Sequence, residues 1–353
     1  MELPSKGNLL GGFVATSSGS AGSAGKAVKV EMSSDGNTAY VADSAAGLSI
    51  FNISDSTNPS LLASIDTTSG SAEGLALSID NNTIYLANGR AGLQLVDVSD
   101  PAAPSLAGVY DTPGIARDVV IAPDGNTAFV VASTGRLQII DVTDPANPSL
   151  LAAVTSGLSL TRAVDISSNG NVLYITDQID GLVIFDVSDP SNPQNLGVLE
   201  VDGLPEDISV SPDGTKIYLA NSTGGLKIIN VENPASPSLL ATFDTGGSAY
   251  GVNVSNNDEF AYVAGSNGIA MIDVRVPASP VLVSGLQTSE TAYSIDTSAD
   301  NSFGVIAEGS SGITLVDFAK KVLSSGEDIP QTVTFENKSE VSMPEGYLGI
   351  FTF

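Results

Sequence analysis

A chain of 353 residues without Cys or His can form no disulfide, Ser-His-Asp triad, Cys nucleophile, zinc–histidine site or haem ligation of the His or Cys type. Its 40 acidic against 13 basic residues set a net charge of −27, which repels nucleic acid and anionic membranes, and no apolar run reaches the roughly 18 residues of a membrane span. With aromatics at 6%, no Trp, 36 Gly and 18 Pro, the core must come from Val, Ile, Leu and Ala, and the chain reads as all-β.

The first residues, Met1-Glu2-Leu3-Pro4, lack the basic and apolar regions of a signal peptide, so the chain is either cytosolic or a fragment of a longer exported protein, and the fragment is the expectation. A strand is expected over 8–16, Asn8 to Thr16, on a pattern that recurs later at Ser60–Thr67. From there a repeat of about 44 residues takes over. Its motif, G-L-x-I-x-D-V-S-D-P-x-x-P-S-L, places its first apolar residue at Leu48, Leu93, Leu137, Leu182, Leu226, Ile269 and Ile313, at gaps of 43 to 45 residues. Before each copy lies a strand, a tight turn and a second strand, as in Val119-Val120-Ile121-Ala122-Pro123-Asp124-Gly125-Asn126-Thr127-Ala128-Phe129-Val130.

Four short strands per unit, seven times over, predict a seven-bladed β-propeller with four antiparallel strands per blade. One blade cannot bury both of its faces, whereas radial stacking covers them and leaves only short edges. The seventh unit ends at Asp317-Phe318 without its Pro loop, so the N-terminal strand 8–16 is expected to complete the last blade and close the ring. The rival candidate for that place is Val322-Leu323. The propeller is thus expected to span 1–326, with 327–353 as a C-terminal extension. Within that extension, Val341-Ser342-Met343-Pro344-Glu345-Gly346 resembles the opening strand of a cadherin-like domain, in which Glu345 would take a Ca²⁺-binding role; a strand packed on the propeller is the alternative.

The third-strand segments Leu93-Gln94-Leu95-Val96-Asp97-Val98-Ser99-Asp100-Pro101, Leu137–Pro145 and Leu182–Pro190 resemble the LVIVD repeat of bacterial and archaeal surface proteins, over roughly residues 25–318. Copies one, five, six and seven drift, with Asn52 and Asn230 in place of the Asp and Phe318 breaking the seventh. The resemblance implies a propeller on a cell surface and no reaction. The turn Ser211-Pro212-Asp213-Gly214 is similar to that of lactonase-like propellers, where it is structural.

The chemistry left to such a chain is that of carboxylates, Lys, Tyr and oxygen-ligated metals. The repeated Asp-Pro loops (Asp100, Asp144, Asp189) are expected to shape turns, and no D-x-D-x-D-G calcium loop occurs. No cofactor is required on this reading, the metal ligands are unknown, and Ca²⁺ stays open. The five arginines are more telling. The loops entering each inner strand and those joining the second strand to the third share one face, around the central channel. Two residues before the first apolar position of the inner strand stand Lys26, Glu73, Arg117, Arg162, Glu206, Tyr250 and Tyr293, and the other loops of that face carry Asp43, Arg90, Arg136, Asp177, Asp180 and Glu308. Four arginines therefore fall on one face and Arg275 on the other. Beside two Tyr in so acidic a chain, they suit an anionic or carboxylate-bearing ligand; pairing with Glu73, Glu206 and Asp180 is the structural alternative.

The function expected is non-enzymatic: a secreted or cell-surface binding or adhesion module, monomeric within a larger multidomain bacterial protein. It would take an extracellular glycan, peptide or protein at the arginine-bearing face, without nucleic-acid binding or membrane insertion. A hydrolase or lyase using carboxylates with Tyr250 or Tyr293, and a passive spacer, are the alternatives. Sialidase-type propellers are less suited, since their Asp-box turns normally carry a Trp, and glycosidase chemistry would need two carboxylates about 5–10 Å apart.

Overall fold

The second and third strands of each repeat are buried along almost their whole length, as in Thr127–Ala132 and Leu182–Ile184, and do not alternate between wet and dry faces. That pattern requires a sheet covered on both sides. In the computed structural model, which describes residues 13–320 apart from 67–69, 134 and 156, seven four-stranded antiparallel sheets stand around an axis as the blades of a propeller. Blade one runs Lys29–Met32, Thr38–Ala42, Leu48–Asn52 and Ser60–Ile65 from the axis outward. Blades two to six repeat that order.

Each seam between blades holds its own apolar cluster. Tyr40, Leu48 and Ile50 of blade one meet Leu75, Leu86 and Val96 of blade two, and six comparable clusters complete the circle. At about 25 cal/mol per Å² of buried apolar surface, this seam packing is the main favourable term. An aromatic ring recurs at one place in the second strand of six blades (Tyr40, Tyr85, Phe129, Tyr174, Tyr218, Tyr262), each almost wholly buried.

Blade seven consists of Ser294–Thr297, Phe303–Ala307, Ile313–Lys320 and, outermost, the N-terminal strand Phe13–Ala21. The ring is therefore closed by the N-terminus, but the strand is shifted from the expected 8–16. Ala21 stands opposite Ile313 as Ile65 stands opposite Leu48, and the bulge between Ser17 and Gly19 matches that between Leu61 and Ala63. Leu9-Leu10 resembled Leu61-Leu62, yet Leu61 and Leu62 are 47% and 39% exposed, so apolar identity at those places does not set the register. Residues 8–12, the rival strand at Val322-Leu323, the 326/327 boundary and the cadherin-like segment with Glu345 lie outside the described residues.

Turn chemistry accounts for much of the acidity. Asp100, Asp144 and Asp189 accept N–H bonds from Ala102, Ala146 and Ser191, so the Asp-Pro loops are Asx turns as expected. Asp97, Asp141 and Asp186 at the ends of third strands accept in the same way from Ser99, Thr143 and Ser188. Asn52 and Asn230 do so for Ser54 and Glu232, which explains why the repeat tolerates Asn there. No helix is long and apolar enough to cross a membrane among the described residues.

Candidate functional site at the mouth of the channel

The innermost strand of every blade exposes one backbone edge to the axis, so side chains near its start surround a common opening. Val28, Glu73, Glu206 and Tyr293 each donate a backbone N–H to the last residue of the adjoining second strand, which fixes them as one structural position. With Arg117, Arg162 and Tyr250 they make a ring of seven half-buried side chains. Six of the seven residues expected from the sequence hold these places. The exception is blade one, where Val28 stands in the ring and Lys26 lies two residues earlier. Lys26 still reaches the same opening, its Nζ 4.0 Å from the centre of the Tyr293 ring.

The ring encloses a cavity of about 250 Å³. On one side Arg117 Nη1 donates to Glu73 Oε2 at 3.1 Å, and Arg162 donates through Nε at 2.9 Å and Nη2 at 2.5 Å to Glu206 Oε2. Gln178 holds the other oxygen of Glu206 at 2.8 Å. Opposite, Tyr250 and Tyr293 lie 5.5 Å apart between ring centres at a tilt of 31°. The structural pairing considered for Glu73 and Glu206 is thus present, while among the described residues Asp180 joins no ion pair. Arg90 is exposed and borders a neighbouring hollow together with Glu73 and Arg117. Arg136, half-buried at the start of its strand, is outside the mouth. Asp43, Asp177 and Glu308 are buried latches of the loops: Asp177 alone accepts N–H bonds from Ser159, Leu160, Ile179 and Asp180. Arg275 sits on the far side, paired with Asp273.

Beneath the mouth come two layers the sequence reading overlooked. The first holds Lys29, Asp118 and Asp207, with Lys29 Nζ 2.8 Å from Asp207 Oδ1. The second holds Glu31, Asp165 and Asp296 around a chamber of about 170 Å³. All five carboxylates bridge a seam by accepting a backbone N–H from the next blade's inner strand: Glu31 from Leu77 at 2.6 Å, Asp118 from Val164 at 3.1 Å, Asp165 from Val210 at 2.8 Å, Asp207 from Val252 at 3.0 Å and Asp296 from Met32 at 2.8 Å. These N–H groups have no strand partner on the axial side, and an unpaired donor there would be costly. Burial, reinforced by Asp296, pushes the Glu31 carboxyl up to about 8. Burial also lifts Asp118 to about 6 against the pull of Lys29, lifts Asp165 to about 6, and raises Asp296. Lys29 is disfavoured as a cation by burial, but Asp207 and Asp118 hold it charged. The signal was present in the sequence: each of these residues stands next to a buried apolar residue of a short inner strand, as Lys29 and Glu31 do beside Val30. Among the described residues no group of three or more His, Cys, Asp or Glu side chains is placed to hold a metal.

A protein-family model, the LVIVD repeat, matches residues 24–67, 69–112, 113–156, 162–199, 202–245 and 246–288. The chain belongs to the LVIVD-repeat family. Five of the six matched LVIVD repeats start shortly before the inner strand of their blade, and the fourth starts on the second residue of that strand. The expected match as far as residue 318 stops short because blade seven is assembled from both ends of the chain and offers no contiguous copy. No curated protein matches as a relative. Among solved structures, the β-propeller domain of Cps50 (Swd1) from Myceliophteria thermophila is 13% identical, covering 86% of this chain and 99% of that one at a TM-score of 0.71. Kuenenia stuttgartiensis hydrazine synthase is 18% identical, covering 84% and 96% at a TM-score of 0.68. At such identities the likeness is one of fold alone.

In this LVIVD propeller the mouth is the place where chemistry departs from the repeat. The preceding ring position is Ala in five blades (Ala27, Ala72, Ala116, Ala249, Ala292), and the core positions that follow are apolar throughout, from Val30 to Ile295. The ring itself carries Val, Glu, Arg, Arg, Glu, Tyr and Tyr. Architecture repeats; the mouth does not.

Proposed function

We propose that this propeller is a non-enzymatic binding or adhesion module, taking a carboxylate-bearing group of an extracellular glycan, peptide or protein at the channel mouth. One observation carries the reading: seven equivalent backbone positions bear an uneven set of side chains, with Arg117 and Arg162 adjacent on one side and the Tyr250–Tyr293 pair on the other. Their ion pairs do not exhaust the guanidinium groups. Among the described residues Arg117 pairs through Nη1 alone and Arg162 through Nε and Nη2, which leaves Nη2 of Arg117 and Nη1 of Arg162 without a partner. Partly exposed pairs of this kind contribute about 0–1 kcal/mol, so an incoming carboxylate can share the same cations. Glu73 and Glu206, each tied to an arginine, are poorly disposed to act as catalytic acid and base, which favours recognition over hydrolysis. The reading also places the module on a bacterial cell surface or in a secreted protein, as one part of a larger chain, and asks for no cofactor.

The experiment is a glycan and peptide array probed with the intact chain and with the double variant Arg117→Ala, Arg162→Ala. Loss of at least tenfold in binding is expected, since a charge-assisted pair gives about 1.5–3 kcal/mol. Equal binding by the double variant would remove the mouth as the site.

A further inference from the structure

We infer that the ligand of this mouth is a small zwitterion, its carboxylate held by Arg117 and Arg162 and its ammonium directed down the channel to Asp118. The inference rests on the mouth reading above and narrows the ligand class.

The lining of the cavity holds four cationic and four acidic side chains, so it is neutral within a molecule of net charge −27. The charges are nevertheless sorted by depth. The rim has an excess of one positive charge, from Lys26, Arg117 and Arg162 against two glutamates. The floor has an excess of one negative charge, from Asp118 and Asp207 against Lys29. A simple anion would satisfy the rim and meet repulsion beneath it. A simple cation would meet the reverse.

Asp118 is the group that makes the floor selective. It is 6% exposed, lines the cavity, and among the described residues makes no direct ion pair, whereas Asp207 takes Lys29 Nζ at 2.8 Å. One oxygen takes the Val164 N–H; the other lies against the Cα of Gly74, where a Cβ would come within 2.4 Å of it. Gly74 is therefore the residue that leaves room for this carboxylate. Asp118 follows Arg117 directly in the chain and both line the one cavity, so a short zwitterion such as an α-amino acid would meet both charges. A cavity of about 250 Å³ suits a ligand of that size, below the roughly 300 Å³ at which pockets for larger ligands begin. The tyrosine pair offers an aromatic face to its remaining part.

The test compares three probes on the intact chain by calorimetry or ligand-observed NMR: phenylalanine, phenylpropionate, which lacks the ammonium, and phenethylamine, which lacks the carboxylate. Phenylalanine should bind about tenfold more tightly than either, one charge-assisted contact being lost in each analogue. Asp118→Asn, which keeps an acceptor for Val164, should abolish the tenfold preference for phenylalanine over phenylpropionate, and phenylpropionate itself should bind no more weakly, because the floor loses its excess negative charge. If phenylpropionate binds the unaltered chain as tightly as phenylalanine, the zwitterion inference fails and the carboxylate site stands. Absence of binding by all three probes also overturns the inference. Binding of all three that is untouched by Arg117→Gln with Arg162→Gln would remove the mouth reading along with it.

Discussion

Glu31 shows what lining an axis with carboxylates does to a protein's pH dependence. Its pKa is raised to about 8, and those of Asp118 and Asp165 to about 6, while the unfolded chain returns all three to near 4. A carboxyl whose folded pKa is raised binds more protons folded than unfolded, so it weakens the fold above its folded pKa and that penalty fades on acidification. The melting temperature should therefore rise as pH falls from about 8 toward 5. At lower pH the opposite group takes over: Asp35, Asp80, Asp213 and Asp300 are depressed by hydroxyl and backbone donors of their turns, and their contribution is lost as they are protonated. A melting series checks this, with Glu31→Gln in high salt as the control. Salt removes the general repulsion of an acidic chain, and the substitution should flatten the limb between pH 8 and 6. A melting temperature that falls steadily from pH 8 to 5 would contradict it. The ring of the mouth was legible in six blades because its residues stand two places ahead of a strand's apolar run. It failed in blade one because Val28 is itself apolar and counterfeits the start of that run.

At the scale of the element, the hairpins and third strands were plain in the sequence, since Asp-Gly turns and buried apolar runs are local signals. The closing strand was misplaced because outer strands are largely exposed and their composition is free to drift. Phe318 illustrates the same point from inside: it breaks the repeat by sequence, yet it is 4% exposed and packs 4.5 Å from the Tyr262 ring in the last seam. Gly312 reports on closure directly. It sits at φ +83°, and a Cβ there would fall 2.3 Å from the carbonyl oxygen of Ala21. Gly312→Ala should cost about 1–3 kcal/mol through backbone strain and should loosen the N-terminal strand. Chemical denaturation and amide exchange of residues 13–21 measure both, and an unchanged midpoint with unchanged protection would contradict the pairing.

The whole molecule makes sense only as a closed circle. Seven seams bury the sheets, five channel carboxylates bridge between inner strands, and the mouth gathers residues from Lys26 to Tyr293 that are far apart in the chain. None of that depth was legible from spacing, because the three axial layers arise from the mutual placement of different blades. All of it depends on the N-terminal strand sealing the last blade in the register that sets Thr16 opposite Asp317. The chain has no Cys, so a cross-strand disulfide can read that register without interference. Thr16→Cys with Asp317→Cys should oxidise to an intramolecular bond and raise the melting temperature, while Ala21→Cys with Asp317→Cys should leave its thiols free. Ready closure of the second pair, or of neither, would contradict the account.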